Sequence, residues 1–345
     1  MITANPFELR FPEVFFEMTG FTPAGRILLK LEGFGATGSI KLKPALFMVD
    51  RLEREGRLQP GRSTLVESSS GNLGLALALV CRMRGYGFIC VTDPNVSPAN
   101  LRAIRAYGGQ IETVTTKDAQ GGYLRTRLDL VRRLIAEAPD RIWLNQYANP
   151  ANLEAHARWT AEEILRSLPD VTHLYVGTGT TGTMMGIARH FAEFSPKTEL
   201  IAVEPEGSVT FGSGRPGRRR LPGVGTSRPP EIADADQVHR ISYVAERDAV
   251  LRCHQAVNEH GLLVGCSTGH VLHAIAADAD MFSPDSVVVG ISADLGDKYL
   301  DTVYDPQWLR DNFVELDTED VLFPTGPGTP LCGPLSDYLT EHPVS

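Results

Sequence analysis

Nowhere in the 345 residues is there an apolar run of about eighteen residues, the length a helix needs to span a bilayer, so no membrane-crossing segment is expected. The opening stretch, MITANPFELRFPEVFF, lacks the basic region and long apolar core of a secretory signal, which makes the cytoplasm the expected location. Positive charge is scarce too: 33 Lys and Arg face 42 Asp and Glu, a formal net charge of −9. Duplex binding rests on a concentrated positive surface that neutralises phosphates, so nucleic acid is excluded as a main partner. Five cysteines (Cys81, Cys90, Cys253, Cys266 and Cys332) show no C-x-x-C spacing. Neither a disulfide framework nor a zinc site is indicated, and reduced, mostly buried thiols are expected. No internal repeat is present.

What the chain does have is an ordinary soluble composition, 42% hydrophobic and 22% charged, with a length that suits two domains at roughly 100 to 200 residues each. Short β-branched runs alternate with amphipathic segments, the pattern of an α/β protein with mainly parallel strands. RILLKLE, STLVES, GFICVTD, QIETVTT, RIWLNQ, THLYVGT, ELIAVEP and SVVVGIS read as strands. SIKLKPALFMVDRLEREG, NLGLALALVCRMRG, PANLRAIRAYGG, GGYLRTRLDLVRRLIAE and ANLEAHARWTAEEILRSL read as helices, and several of them end at Gly. The stretch from Gly207 to Pro230 interrupts the alternation, and the sequence after about Asp305 loses it. Arg215, Arg218, Arg219 and Arg220 fall within the first of these stretches, in a Gly- and Pro-rich loop whose simplest reading is a solvated segment.

In open α/β sheets ligands bind at the carboxyl ends of strands, so the turns after STLVES, RIWLNQ, THLYVGT and SVVVGIS are where chemistry is expected. SSSGNLG, residues 68–74, offers backbone N–H groups, hydroxyls and a helix start, which suits an anion such as a carboxylate; a plain helix-capping loop has the same composition. GTGTTGT, residues 177–183, leads a helix with only Gly and Thr, so its donors can close around a phosphate. It lacks the Gly-Lys-Ser/Thr ending of a P-loop; Gly177, Gly179 and Gly182 fit the G-x-G-x-x-G dinucleotide fingerprint, but a lone match of that kind is weak without an acidic residue of established place about twenty positions on. In ATGSIKLKPA, Lys41 begins a helix after small residues. Set in a cleft beside that positive helix end, its pKa would fall toward the free amine that Schiff-base chemistry requires, with Lys43 as the competitor and a solvated charge as the ordinary alternative.

Taken together and in this order, GSIK, SSSGNLG, NQYANPAN, GTGTTGT and CSTGH resemble the pyridoxal 5′-phosphate enzymes of β-replacement that include cysteine synthase, over roughly residues 15 to 305. That resemblance implies an α/β fold of type II, like the tryptophan synthase β chain, with two domains of mainly parallel sheets flanked by helices. Residues 1–45 and 150–305 would form the larger cofactor-binding domain, 46–149 a smaller mobile domain, and 306–345 a C-terminal extension. Lys41 would bond covalently to the cofactor and act as base and acid. Asn72 would meet the ring hydroxyl, and Gly179, Thr180, Thr181, Gly182 and Thr183 would cradle the phosphate. Ser267 would face the ring nitrogen, though a helix cap is its plain alternative. Ser69, Ser70 and Gln146 would hold the substrate carboxylate.

Some positions depart from ordinary cysteine synthases: Leu42 and Lys43 follow the lysine, Thr181 replaces a glycine, and GVGTSRPPE replaces a Gly-Ala-Gly-Phe loop. In these, and in segments such as DAQGGYLRTR and GDKYLDTVY, the chain is similar to the branch that joins O-phosphoserine to glutamate, giving N-(2-amino-2-carboxyethyl)-L-glutamate on the way to 2,3-diaminopropionate for siderophores or antibiotics. A cysteine or S-sulfocysteine synthase using O-phosphoserine or O-acetylserine would share the cofactor residues. Both substrates of the first reading are anionic amino acids, so Arg228, and after it Arg220, are candidates for the entrance. The resemblance further implies a homodimer and, as a pathway partner, an amino-acid dehydrogenase-like enzyme.

Overall fold

The computed structural model describes residues 2–69, 71–118, 121–212 and 215–316; the expected site residue Ser70 and Cys332 lie outside them. In chain order, β1 (Phe15–Glu17) and β2 (Arg26–Leu31) form a hairpin, and α1 (Leu42–Arg54) leads into a second region. There follow β3 (Thr64–Ser68), α2 (Asn72–Arg84), β4 (Gly87–Thr92), α3 (Pro98–Ala106), β5 (Gln110–Thr113), α4 (Leu124–Glu137) and β6 (Arg141–Trp143). The chain then returns through α5 (Pro150–Ala155), a π-helical turn (His156–Ala161) and α6 (Glu162–Ser167) to β7 (His173–Gly177), α7 (Gly182–Phe194) and β8 (Glu199–Pro205). Last come β9 (Arg240–Val244), α8 (Glu246–His260), α9 (Cys266–Ala277), β10 (Val287–Ser292) and α10 (Pro306–Asn312).

Two sheets result. One has the order β1-β2-β10-β7-β8-β9, parallel except for the β1–β2 pair, and the other is the all-parallel β5-β4-β3-β6. Strand periodicity of two sorts the larger sheet's side chains. Ile27 and Leu29 join Tyr175, Ile201 and Val203 against α8 and α9, whereas Leu28 joins Leu174, Val176, Leu200 and Ala202 against α6 and α7. The smaller sheet does the same, with Leu65, Phe88 and Cys90 facing α1 and α2 and Val66, Ile89 and Val91 facing α4. Burial on both faces explains why β10, VVVGIS, is a continuous apolar run rather than an alternating one.

All eight expected strands form. Two more, β1 and β9, escape the sequence reading; β1 is only three residues long and pairs antiparallel at the sheet edge. The helix expected through residues 151–168 is interrupted by the π-helical turn, at the place where Gly186 of α7 packs so closely that a Cβ there would collide with the Leu153 carbonyl. After Asp305 the alternation ends, yet α10 is held there by the Asp305 side chain at its N-cap, and Leu309, Phe313 and Leu316 are buried in the α8–α9 core. Among the described residues no helix is long and apolar enough to cross a membrane.

Candidate active site

The four turns singled out in the sequence converge. The turn after β3 meets the turn after β10 through Asn72 and Asp294, and the turn after β6 meets the cup after β7 through Asn152, whose Nδ2 donates to the Gln146 carbonyl (2.8 Å) and the Thr180 hydroxyl (3.3 Å). The GSIK segment is fastened to the same place. Ile40 N–H donates to the Ala293 carbonyl (2.8 Å) and Ser39 forms an isolated bridge with Asp294.

Lys41 stands at the N-cap of α1 and is only partly exposed. Burial lowers its pKa from the ordinary lysine range, with the Asp294 charge opposing. Lys43 has a different fate. Its Nζ lies 2.9 Å from Glu32 and 2.6 Å from Glu163, and donates to Thr160 (3.3 Å), in a cluster completed by the fully buried Lys30, which reaches the same two carboxylates at 2.9 and 3.0 Å. Burial disfavours the Glu32 carboxylate, but Lys43 and Lys30 outweigh it and hold the group at about 2. A lysine so bonded is unavailable as a nucleophile. The geometry therefore separates the two candidates that the sequence placed side by side.

In the SSSGN turn, Ser69 Oγ accepts from the N–H groups of Gly74 (3.0 Å) and Gly71 (3.3 Å), so the capping role is present in the structure. Asn72 opens α2, with Nδ2 donating to Asp294 Oδ2 (2.6 Å) and Oδ1 accepting from Lys298 Nζ (2.8 Å). Tyr299 adds a second donor to Asp294 Oδ2 (2.6 Å). Sequence reasoning missed Asp294, Lys298 and Tyr299; the available signal was their position directly after SVVVGIS, one of the strands whose carboxyl end was expected to carry chemistry. Gln146 is buried at the end of β6, with Nε2 donating to the Ser68 carbonyl (2.9 Å) and its backbone N–H to Glu67 (3.2 Å). Burial lifts Glu67 to about 7 against the hydrogen bonds from Trp143 and from the Ser68 and Gln146 backbones.

The Gly-Thr turn forms a cup at the N-terminus of the thirteen-residue α7. Thr181 occupies the N-cap with φ 64°, a left-handed conformation that glycine adopts freely and that costs a β-branched residue roughly 1–2 kcal/mol. Its hydroxyl is buried and without a partner among the described residues. Gly182 must be small, since a Cβ there would collide with the Asn152 amide. Thr183 Oγ1 lies 3.3 Å from His156 Nε2, and Gly179 faces Gly225 with room at ordinary contact distance. An unsatisfied buried hydroxyl, a positive helix end and a floor of glycines suit a phosphate ester. Ser267 is not the cap of α9, a place taken by Gly265; it sits in the first turn, against Gly177 at the entry to the cup.

The arginines divide. Arg228 pairs with Glu231 through both terminal nitrogens (3.0 and 3.1 Å) and lies over the Tyr147 ring at 4.9 Å. The Arg220 guanidinium lies 5.1 Å from Phe313, while its backbone N–H is taken by Glu246. Arg219, from the loop read as solvated, is instead partly buried and donates to the Gly207 carbonyl (3.2 Å), the Thr226 carbonyl (2.6 Å) and Ser227 Oγ (2.9 Å), bracing the TSR segment. Burial raises the pKa of Tyr147, and Arg127, Arg228 and Arg219 all act on its hydroxyl in the opposite sense. Of these arginines Arg228 is the one in contact with the Tyr147 ring, while Arg127 pairs with Asp93 at 3.3 Å.

Residues 17–294 match the family described as pyridoxal-phosphate dependent enzyme. The chain is similar to N-(2-amino-2-carboxyethyl)-L-glutamate synthase of Ralstonia nicotianae, 42% identical over 284 residues, covering 82% of this chain and 83% of that one. The protein of the same name from Cupriavidus metallidurans is 40% identical over 313 residues, covering 87% and 91%. Among solved structures, O-ureido-L-serine synthase superposes with a TM-score of 0.81 at 26% identity, covering 92% of this chain and 98% of that one. The O-acetylserine dependent cystathionine beta-synthase from Helicobacter pylori gives a TM-score of 0.78 at 27% identity, covering 88% and 98%.

Proposed function

Because the chain belongs to the family of pyridoxal-phosphate dependent enzymes, we propose that it is a β-replacing transferase that converts O-phospho-L-serine and L-glutamate to N-(2-amino-2-carboxyethyl)-L-glutamate and phosphate, the first step toward 2,3-diaminopropionate. The observation that carries this reading is the activity named for the two relatives, which align along most of the chain.

When bound, pyridoxal phosphate supplies an electron sink for the Cα substituents of an amino acid, so that a group can leave from Cβ. The protein's own residues do the rest. Lys41 holds the cofactor and, as a free amine with a lowered pKa, takes and returns a proton at Nζ. Thr180, Thr181, Thr183 and the glycines Gly179 and Gly182 hold the phosphate of the cofactor, Asn72 its ring oxygen and Ser267 its ring nitrogen. A neutral hydroxyl at that last place would not force the ring nitrogen to be protonated as a carboxylate would, which would suit departure of a leaving group over transamination. Ser69, Ser70 and Gln146 bind the substrate carboxylate. Arg228, over the Tyr147 ring, faces the leaving phosphate and the incoming dicarboxylate. In the replacement the Cβ–O bond of phosphoserine breaks, phosphate leaves with the electron pair, and the glutamate nitrogen forms the new bond to Cβ and loses a proton. The region 46–149 moves against the remainder as substrates enter, and a cytoplasmic homodimer supplying an amino-acid dehydrogenase-like enzyme completes the reading.

A sulfur nucleophile is the rival. To separate the two, purified holoenzyme is given O-phosphoserine with glutamate, aspartate, sulfide or thiosulfate, and the products are identified by mass. Glutamate yields a secondary amine with phosphate released in equal amount; formation of cysteine from sulfide with glutamate left unchanged contradicts the assignment.

A further inference from the structure

The turn after β10 carries charged side chains that the reaction above leaves unused. Asp294 is 2% exposed, and its two oxygens differ: Oδ2 accepts from Asn72 Nδ2 and the Tyr299 hydroxyl, whereas Oδ1 is buried without a partner among the described residues. Room for this carboxyl exists only because residue 265 is glycine, where a Cβ would collide with Oδ1. Lys298 reaches the same place from one turn further on, donating to the Thr37 carbonyl (2.9 Å) and to Asn72 Oδ1 (2.8 Å). Both residues contact Asn72 across more than two hundred positions of sequence, from the larger sheet to the start of α2, with separations of 222 and 226 residues.

A carboxamide can present either an acceptor or a donor, and only its surroundings decide which way it faces. Here a carboxylate claims one N–H of Asn72 and an ammonium claims the oxygen, so a turned-over amide would set acceptor against carboxylate and donor against ammonium. We propose that Asp294 and Lys298 are positioning residues that fix the Asn72 carboxamide in one orientation, leaving its second N–H as the group offered to the cofactor's ring oxygen. The inference rests on the assignment of Asn72 to the cofactor. A donor at the ring oxygen favours the anionic form of that oxygen, so the lock sets both how tightly pyridoxal phosphate is held and where the bound cofactor titrates.

The test compares Asn72→Ala, Asp294→Asn, Lys298→Met and Lys298→Arg. Three quantities are read: the Kd of the resolved apoprotein for pyridoxal phosphate by fluorescence, the pH midpoint of the bound cofactor's visible absorbance, and the melting temperature. Loss of a charge-assisted hydrogen bond weakens binding about tenfold or more, so Asn72→Ala, Asp294→Asn and Lys298→Met each raise Kd by about that factor. In Asn72→Ala and Lys298→Met the midpoint moves to higher pH, because the anionic ring oxygen has lost its donor; in Asp294→Asn the removal of a nearby negative charge opposes that shift, so Kd is the deciding readout for that variant. Lys298→Arg keeps a donor to Asn72 and restores both readouts, and adding Asp294→Asn to Asn72→Ala causes no further loss, since the two act through one amide. If Asp294→Asn and Lys298→Met keep the parent Kd and midpoint while Asn72→Ala changes them, the lock is refuted and the Asn72 assignment stands. If Asn72→Ala changes neither, the assignment fails and the lock falls with it. A lower melting temperature with unaltered Kd and midpoint also refutes the lock, because it shows a role in folding alone.

Discussion

Lys41 at the N-cap of α1 and Lys43 in its first turn have only Leu42 between them, and the chain treats them in opposite ways. Lys43 is 5% exposed and bonded to two carboxylates in a cluster where Lys30, Glu32 and Glu163 balance its charge. Lys41 has no carboxylate within salt-bridge distance among the described residues, and burial moves its pKa down. A buried ammonium with partners is structural, because its charge is stabilised and its lone pair is never free. A partly buried ammonium without partners is poised to lose its proton, which a Schiff-base lysine must do. Sequence position alone does not distinguish the two; the carboxylates that do come from Glu32, just after β2, and from α6, with Glu163 lying 120 residues away from Lys43.

The largest effects should come from exchanging these roles. Lys41→Ala is expected to lower turnover by at least about 10³-fold, within the range for loss of a positioned acid or base, while the melting temperature stays near that of the parent. Lys43→Met should do the reverse. It leaves two buried carboxylates with Lys30 and, for Glu163, the more distant Arg10 (3.6 Å), and costs about 3–5 kcal/mol of stability, measured by denaturant unfolding, while the visible cofactor band persists. The same cluster predicts an acid limit. Glu32 titrates at about 2 when folded against 4.5 for the free side chain, so its contribution is complete above about pH 4.5 and is lost as pH falls through about 2. The difference is on the order of 3 kcal/mol, and it should vanish from the pH–stability curve of Glu32→Gln. The smallest effect is expected at Arg228, which already shares its charge with Glu231 and Tyr147. Arg228→Ala should narrow the preference for O-phosphoserine over O-acetylserine by about tenfold in kcat/KM, the lower end for a charge-assisted contact.

How much of this was legible follows from the range of the interactions. The eight strands and the cup after β7 are local patterns, and each was readable because β-branched runs, glycines and threonines act through their own neighbours in sequence. Lys41, Asn72 and the cup lie on turns at strand ends, where topology restricts ligands to bind. The partners that fix them were not readable. Asp294 and Lys298 find Asn72 only after the two sheets are assembled, and Arg219 finds the Gly207 carbonyl and Ser227 only once the loop between β8 and β9 has folded back on itself. Arg219 in particular looks like one more charge in a basic loop until its three acceptors are seen. β1 and α10 were missed for a related reason: one is three residues long at a sheet edge, and the other is stabilised by burial of Leu309, Phe313 and Leu316 against distant helices.

We propose that environment, not order along α1, selects the lysine that carries the cofactor. Borohydride reduction of the holoenzyme, followed by digestion and mass spectrometry of the peptide spanning GSIKLKPA, tests it most directly. The pyridoxyl mass is expected on Lys41 alone, with Lys43 unmodified; a label on Lys43 overturns the assignment.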